Sequence, residues 1–316
     1  MIIFSGVSLG KTLSDVTFTF DGASLCIVSA DKAEARAVTD LISGIRKNSD
    51  GELTNGFGTT PTFSASIPES LTVRQLLTSV SDIGKCRLSD YSHSLASEYY
   101  DSTVRSLSPY EKATVAVAAL FACESDAVIA DRISDGLLMD ERQKLLDLIF
   151  KSADETDTAL IYTTVSAAEM EKSEYVLALA DGNTLFFGKT EDFISRASMP
   201  CPVSLYVMGD KAKAEAFFKK HSAEAEDGTK KNTYKATLPA GTDVADVKKS
   251  VRASGLTLLD VRTVENKCAE LYKLLQQTDE VLTEQYEDYK EEHAAPRKLE
   301  LSDFAFNRDD DEEDDE

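Results

Sequence analysis

Residues 29–36 read Ser-Ala-Asp-Lys-Ala-Glu-Ala-Arg and stand where the apolar run Ser24 to Val28 gives way to Ala33, Ala37, Val38, Leu41, Ile42 and Ile45 at helical spacing. A strand that enters a helix through a short turn presents backbone amides to an anion, and phosphate is held at helix N-termini in this way. That chemistry also needs glycines, so that the backbone can curl around the phosphate, and a lysine to neutralise it. The stretch has no glycine, and a carboxylate, Glu34, stands in its midst. A second chemically capable residue is Asp131, delivered by the apolar strand "AVIA" and followed directly by Arg132.

Composition narrows the remaining chemistry. The net charge is −22, from 34 basic and 56 acidic residues, with eight acids in the terminal run Asp309 to Glu316. No basic stripe interleaved with aromatics occurs, so nucleic acid is not expected as a partner. His93, His221 and His293 lie far apart in polar contexts, which argues against a histidine metal site or triad. The five cysteines, Cys26, Cys86, Cys123, Cys201 and Cys268, form no C-x-x-C pair and are expected to be reduced, mostly buried thiols. No run approaches the length of a membrane span, and "MIIFSGVSLGK" lacks the features of a signal peptide, so a cytosolic chain without direct membrane insertion is expected.

The elements that must position these residues follow from periodicity. "SLCIV", "AVIA" and "TALIYTT" read as buried parallel strands, with "LSPYEKATVAVAALFA" and "ERQKLLDLIF" as helices between them. That alternation predicts an α/β domain with a mostly parallel sheet over residues 1–195, closed by a hairpin with Asp181, Gly182 and Asn183 at its turn. After "SMPCP", strand, helix, strand, helix, strand follow in about sixty residues, a small ferredoxin-like α+β unit over 200–276 in which Thr242 caps the second helix and Gly255 stops it. Residues 277–316 read as a charged helix and an acidic disordered tail.

Taken in order, these segments resemble the nucleotide-binding subunit of an ATP-binding cassette (ABC) transporter. The resemblance rests on "LISG" at Leu41 to Gly44, "GEL" at Gly51 to Leu53, "LTV" at Leu71 to Val73, "LS" at Leu107 and Ser108, the strand ending in Asp131, "GL" at Gly136 and Leu137, and "DG" at Asp181 and Gly182. It implies a P-loop NTPase-like fold, ATP and magnesium as the family's cofactors, and a membrane permease touched by the region around Ile67 to Val80. The small unit with "VRTVENKCAELYKLL" resembles the C-terminal extension of the family's exporter branch.

Laid on the family's motifs, the site residues depart from the pattern. In the phosphate loop Ser29 and Glu34 stand at the two glycines, Ala35 at the lysine and Arg36 at the magnesium-binding hydroxyl, with Lys32 or Arg36 as the surrogate cations. The signature reads Leu107, Ser108, Pro109, Tyr110, Glu111; Pro109 has no N–H to offer, yet Ser108 and Glu111 form a capping box with proline at the first helical position. Arg132 takes the place of the catalytic glutamate and, always protonated, cannot act as a general base. Leu138 stands at the D-loop aspartate, Thr164 at the switch histidine and Leu9 at the adenine-stacking aromatic, and Gly56 to Ser70 contains no glutamine.

The expected function is therefore a pseudo-ATPase subunit with no catalytic residue. It would be peripheral to the inner face of the membrane through a permease, with an intact cassette as a heterodimeric partner, and would take ATP and magnesium only if the altered loop still binds. The alternatives are a free-standing interaction module working through its charged helix and tail, and an ATP-binding ATPase with rewired motifs.

Overall fold

The first strands alternate buried and more exposed side chains, as a pleated surface against a core requires, with one three-residue step in each. In the computed structural model, which describes residues 1–64, 67–200, 202–239, 242–263 and 266–293, β1 (Ile2–Leu9) buries Ile2, Phe4 and Val7, and β2 (Leu13–Phe20) buries Leu13, Val16, Phe18 and Phe20. This hairpin has no counterpart in the sequence expectation. β3 (Ser24–Ser29) is buried at all six positions and feeds α1 (Lys32–Ile42). Then come β4 (Asp50–Asn55), β5 (Thr62–Ser64), α2 (Val73–Gly84), α3 (Asp90–Ala96) and α4 (Pro109–Leu120). They are followed by β6 (Ala127–Asp131), α5 (Met139–Glu155), β7 (Ala159–Thr163), α6 (Ala167–Met170), β8 (Tyr175–Ala180), β9 (Asn183–Lys189) and α7 (Thr190–Ala197).

The nine strands form one sheet in the order β4-β1-β2-β9-β8-β3-β7-β6-β5. β8, β3, β7, β6 and β5 run parallel, as the alternation predicts, while β1 pairs antiparallel with both β2 and β4, and β8 with β9. Both faces are covered. Cys26 and Val28 of β3 point into a core shared with α4, and Leu25 and Ile27 into one shared with α1 and the β1–β2 hairpin. The parallel strands deliver their C-terminal ends to one rim, where open α/β sheets place their ligands.

A second sheet follows from β10 (Val203–Met208), α8 (Lys211–Lys220), β11 (Glu226–Asp227), β12 (Thr233–Leu238), α9 (Val244–Ala253) and β13 (Thr257–Thr263). Its order, β11-β12-β10-β13 with every pair antiparallel, is the ferredoxin-like one, completed by a two-residue strand that the periodicity does not reveal. Leu205, Val207, Ala236 and Leu238 pack with Phe218 of α8 and Val251 of α9 on one face. Gly255 ends α9 at φ +71°, as expected. The cap is Asp243 rather than Thr242: its carboxylate accepts the amides of Ala245 and Asp246, while the Thr242 hydroxyl donates to the Pro239 carbonyl.

The chain then returns to the first sheet. α10 (Lys267–His293) is one helix that crosses residue 277, and Cys268, Leu271 and Leu275, at helical spacing, enter the core around α4 and β3. Asp279 accepts the Ala168 amide of α6 at 2.9 Å, and Tyr272 donates to Glu171 at 2.6 Å. No helix among the described residues is long and apolar enough to cross a membrane. The acidic tail beyond lies outside the described residues.

The cysteine expectation is corrected. Cys86 and Cys123 form a disulfide with Cα atoms 5.9 Å apart, and only Cys26 and Cys268 are free, buried thiols; Cys201 lies outside the described residues. The two residues follow α2 and α4, whose packing brings them together across 37 positions. Gly84 makes the room, since a Cβ there would lie 2.6 Å from the Cys123 sulfur.

If α10 is part of the first core, Leu275→Ala, at a side chain only 1% exposed, lowers stability by about 2–5 kcal/mol in urea unfolding. A loss below about 0.5 kcal/mol, typical of surface positions, would show that the helix is merely apposed.

Candidate functional site

At the rim, β3 ends in Ser29 and α1 begins only three residues later. The early start is a matter of capping. Asp31 is the N-cap and accepts the Ala33 amide at 2.8 Å, its carbonyl accepts the Glu34 amide at 3.1 Å, and the Ser29 hydroxyl oxygen accepts the Asp31 amide at 3.0 Å. The amides of Asp31, Ala33 and Glu34 are thus bonded within the turn.

Glu34 completes the closure. Its carboxylate does not project outward but is buried, accepting the Ser29 hydroxyl proton at 2.6 Å on one oxygen and the Gly182 amide at 2.6 Å on the other. Gly182 lies in the β8–β9 turn at φ +75°, beside Asp181 at +53°, and a Cβ there would come within 2.9 Å of the Thr12 carbonyl. The same turn accepts the Ser14 amide through the Gly182 carbonyl at 2.8 Å and holds Lys267, at the start of α10, through Asp181 at 2.6 Å. The hydrogen bond and charge of Lys267 hold the Asp181 carboxyl below its usual range, so this contact is present at neutral pH and is lost as pH falls through that lowered value.

Asp131 sits at the C-terminal end of β6 and is buried. Its Oδ1 accepts the Thr163 hydroxyl at 2.8 Å, and its Oδ2 faces the Arg36 guanidinium at 4.0 Å. Arg36 offers only donors where a magnesium ion would need an oxygen ligand, so the residues present do not fit the metal. The loop fits a phosphate poorly, because an anion would meet the Asp31 and Glu34 carboxylates, and the Asp31, Ala33 and Glu34 amides are already bonded. Like charges about 4 Å apart repel by about 1 kcal/mol in water and about 4 kcal/mol at a protein surface. Lys32 is exposed on the first turn of α1, and Ala35 is buried and contributes only a methyl group. Arg132 follows Asp131 in a left-handed conformation, φ +51°, and pairs with Asp135.

Thr164 belongs to a third cluster, one the sequence reading missed. Its hydroxyl and that of Ser134, the latter at 3.2 Å, donate to Oε2 of buried Glu169, whose Oε1 lies 2.8 Å from Arg142 Nη2. Arg142 also donates to the Ser134 carbonyl at 3.1 Å, and the Tyr162 hydroxyl to the Glu169 carbonyl at 2.7 Å. Burial, reinforced by Glu169, pushes the Cys26 thiol well up and keeps it protonated. Two signals were available: Arg142 lies on the same stripe of α5 as Leu145, Leu146 and Ile149, and Ser166-Ala-Ala-Glu169 is a capping pattern.

The signature residues stand apart, at the start of α4. Glu111 accepts the Ser108 amide at 2.7 Å and its own amide donates to the Ser108 hydroxyl at 3.3 Å, with Pro109 at the first helical position, so the capping box read from the sequence is present. Tyr110 is half-buried and packs against the core. Leu138 precedes α5, its amide held by Glu141 at 3.2 Å.

No protein-family model matches the chain. The energy-coupling factor transporter ATP-binding protein EcfA1 of Lactobacillus delbrueckii subsp. bulgaricus is 29% identical over 102 residues, 32% of this chain and 36% of the relative. EcfA1 of Staphylococcus saprophyticus is 30% identical over 92 residues, 29% of this chain and 34% of the relative. The chain thus spans about a third of the length of the curated relatives it matches. Among solved structures, an ABC transporter ATP-binding subunit matches 62% of this chain and 92% of its own at 19% identity, with a TM-score of 0.52. The cbiO1 protein of Clostridium perfringens, part of the ABC transporter complex cbiONQ, matches 61% of this chain and 90% of its own at 14% identity, with a TM-score of 0.53. The chain has the α/β fold of an ABC ATP-binding cassette.

The buried pair makes a specific demand on stability. Arg142→Met is expected to cost about 3–5 kcal/mol in urea unfolding because it strands Glu169, whereas Arg142→Met combined with Glu169→Met costs less than the two single changes added. Additive losses would overturn the pairing. Ser108→Ala, which removes only a helix cap, is expected to cost about 1 kcal/mol.

Proposed function

We propose that the chain is a cassette subunit of an ABC transport complex that does not hydrolyse ATP, and that it acts as a scaffold or regulator of a membrane permease. The observation that carries this reading is the closed turn at Ser29 to Glu34, where Asp31 takes the Ala33 and Glu34 amides and the buried Glu34 carboxylate takes the Ser29 hydroxyl. Arg132 at the place of a general base and Arg36 against Asp131 point the same way. The transport setting is supported by the cassette fold and by the stretch of likeness to EcfA1. In this reading residues 1–195 form the cassette unit, with an intact cassette as its heterodimeric partner. The chain is held at the cytoplasmic face of the membrane through the permease. Residues 200–276 serve as an accessory unit, and the exporter setting rests on this ferredoxin-like extension alone.

Calorimetric titration of the full chain with magnesium ATP into the millimolar range tests the proposal. The expected result is no binding heat and no change in melting temperature. A ligand present at about 100 times its dissociation constant would add about 2.7 kcal/mol of stability. Stabilisation of that size, or steady turnover abolished by Asp131→Asn, would overturn the proposal in favour of a rewired ATPase.

A further inference from the structure

The small unit is the basic part of an acidic chain. Residues 203–263 carry 11 Lys and Arg against 8 Asp and Glu, a net +3 in a protein of net −22. Lys213 and Lys220 stand seven residues apart on α8 and so share one face, with Phe217 between them. Together with His221 and with Ser250 and Ser254 from the α9 side, they line a groove of about 380 Å³. Neighbouring Lys211 is paired with Glu215 and Asp227, but the ammonium groups of Lys213 and Lys220 have no partner among the described residues. The His221 ring lies on Phe217 at 4.7 Å, and its Nε2 is buried without a hydrogen bond. The groove therefore has an aromatic floor, a cationic rim and an unmet polar atom.

One segment of the chain matches that description. Residues 301–316 place Leu301, Phe304 and Phe306 just ahead of the eight consecutive acids Asp309 to Glu316. We propose that the acidic end of this C-terminal segment docks in the groove between α8 and α9, its carboxylates against Lys213 and Lys220. Length permits it. The twenty-three residues from His293 to Glu316 can span about 80 Å when extended, about twice the roughly 40 Å length of α10. Ion pairs of this exposed kind are individually weak and screened, so the docked state is sensitive to salt.

Carbodiimide cross-linking of the full chain, mixed as unlabelled and nitrogen-15-labelled protein and read by mass spectrometry, tests the contact. The expected result is cross-links within single chains from Lys213 or Lys220 to residues 309–316. They should disappear at about 1 M salt, where the screening length is about 3 Å. They should also be lost in the Lys213→Ser, Lys220→Ser variant and kept in Lys248→Ser. A fluorescent synthetic peptide of residues 299–316 supplies the second readout. It should bind at least about tenfold more tightly to a full chain whose eight terminal acids are changed to Asn and Gln, because the native tail competes at high effective concentration. Equal peptide affinity, cross-links spread evenly over the lysines, or cross-links only between labelled and unlabelled chains would overturn the proposal, the last in favour of a second copy as occupant.

Discussion

A buried carboxylate must be given donors, and the arrangement of the rim follows from how Glu34 obtains them. Its two oxygens take the Ser29 hydroxyl and the Gly182 amide, groups from the end of β3 and from a turn 148 positions away in sequence. Leaving such a buried carboxylate unpartnered would cost several kcal/mol, so the burial of Glu34 holds the β8–β9 turn against α1. The turn in turn binds the β1–β2 hairpin through Ser14 and the first turn of α10 through Lys267. One side chain in the first turn of a helix thereby ties together three parts of the chain that share no local sequence.

The same arrangement recurs along the rim. Asp131 faces the Arg36 guanidinium, and the Thr164 hydroxyl is committed to Glu169. Each leaves a polar group satisfied by protein. The fit is imperfect in one place. Arg142 and Glu169 lie 2.8 Å apart without the alignment of a hydrogen bond, and Arg142 Nε has no partner. A buried ion pair of this kind contributes little net stability but is expensive to break, which makes it a fixing device more than a source of stability.

What could be read in advance was local. The strands around "SLCIV" and "AVIA", the Ser108–Glu111 box and the Asp181-Gly182 turn are each encoded within a few residues, and each is present as read. What could not be read depends on contacts between distant segments. Nothing near Glu34 announces Gly182, nothing near Cys86 announces Cys123, and the antiparallel β1–β2–β4 layer is specified by its packing on the parallel sheet. α10 misled for a related reason: its long charged stretch hides the three apolar residues, Cys268, Leu271 and Leu275, that anchor it. Thr242 and Asp243 are both good caps, and backbone geometry alone decides between them.

The position of these polar pairs has a physical explanation. In a parallel sheet the strand interiors are covered on both faces, and residues such as Val28, Ile129 and Ile161 are stabilised there whether or not anything binds at the rim. The strand ends are different, because their amides and carboxylates point into a crevice and must meet either a ligand or a protein group. In this sheet the protein's own groups are placed at those ends. Ser29 with Glu34, Asp131 with Arg36, and Thr164 with Glu169 all lie at the C-terminal ends of β3, β6 and β7, while the layers beneath them keep an ordinary apolar core. The framework and the rim are consistent with each other because the sheet sets where polar groups emerge and the rim residues decide only what satisfies them.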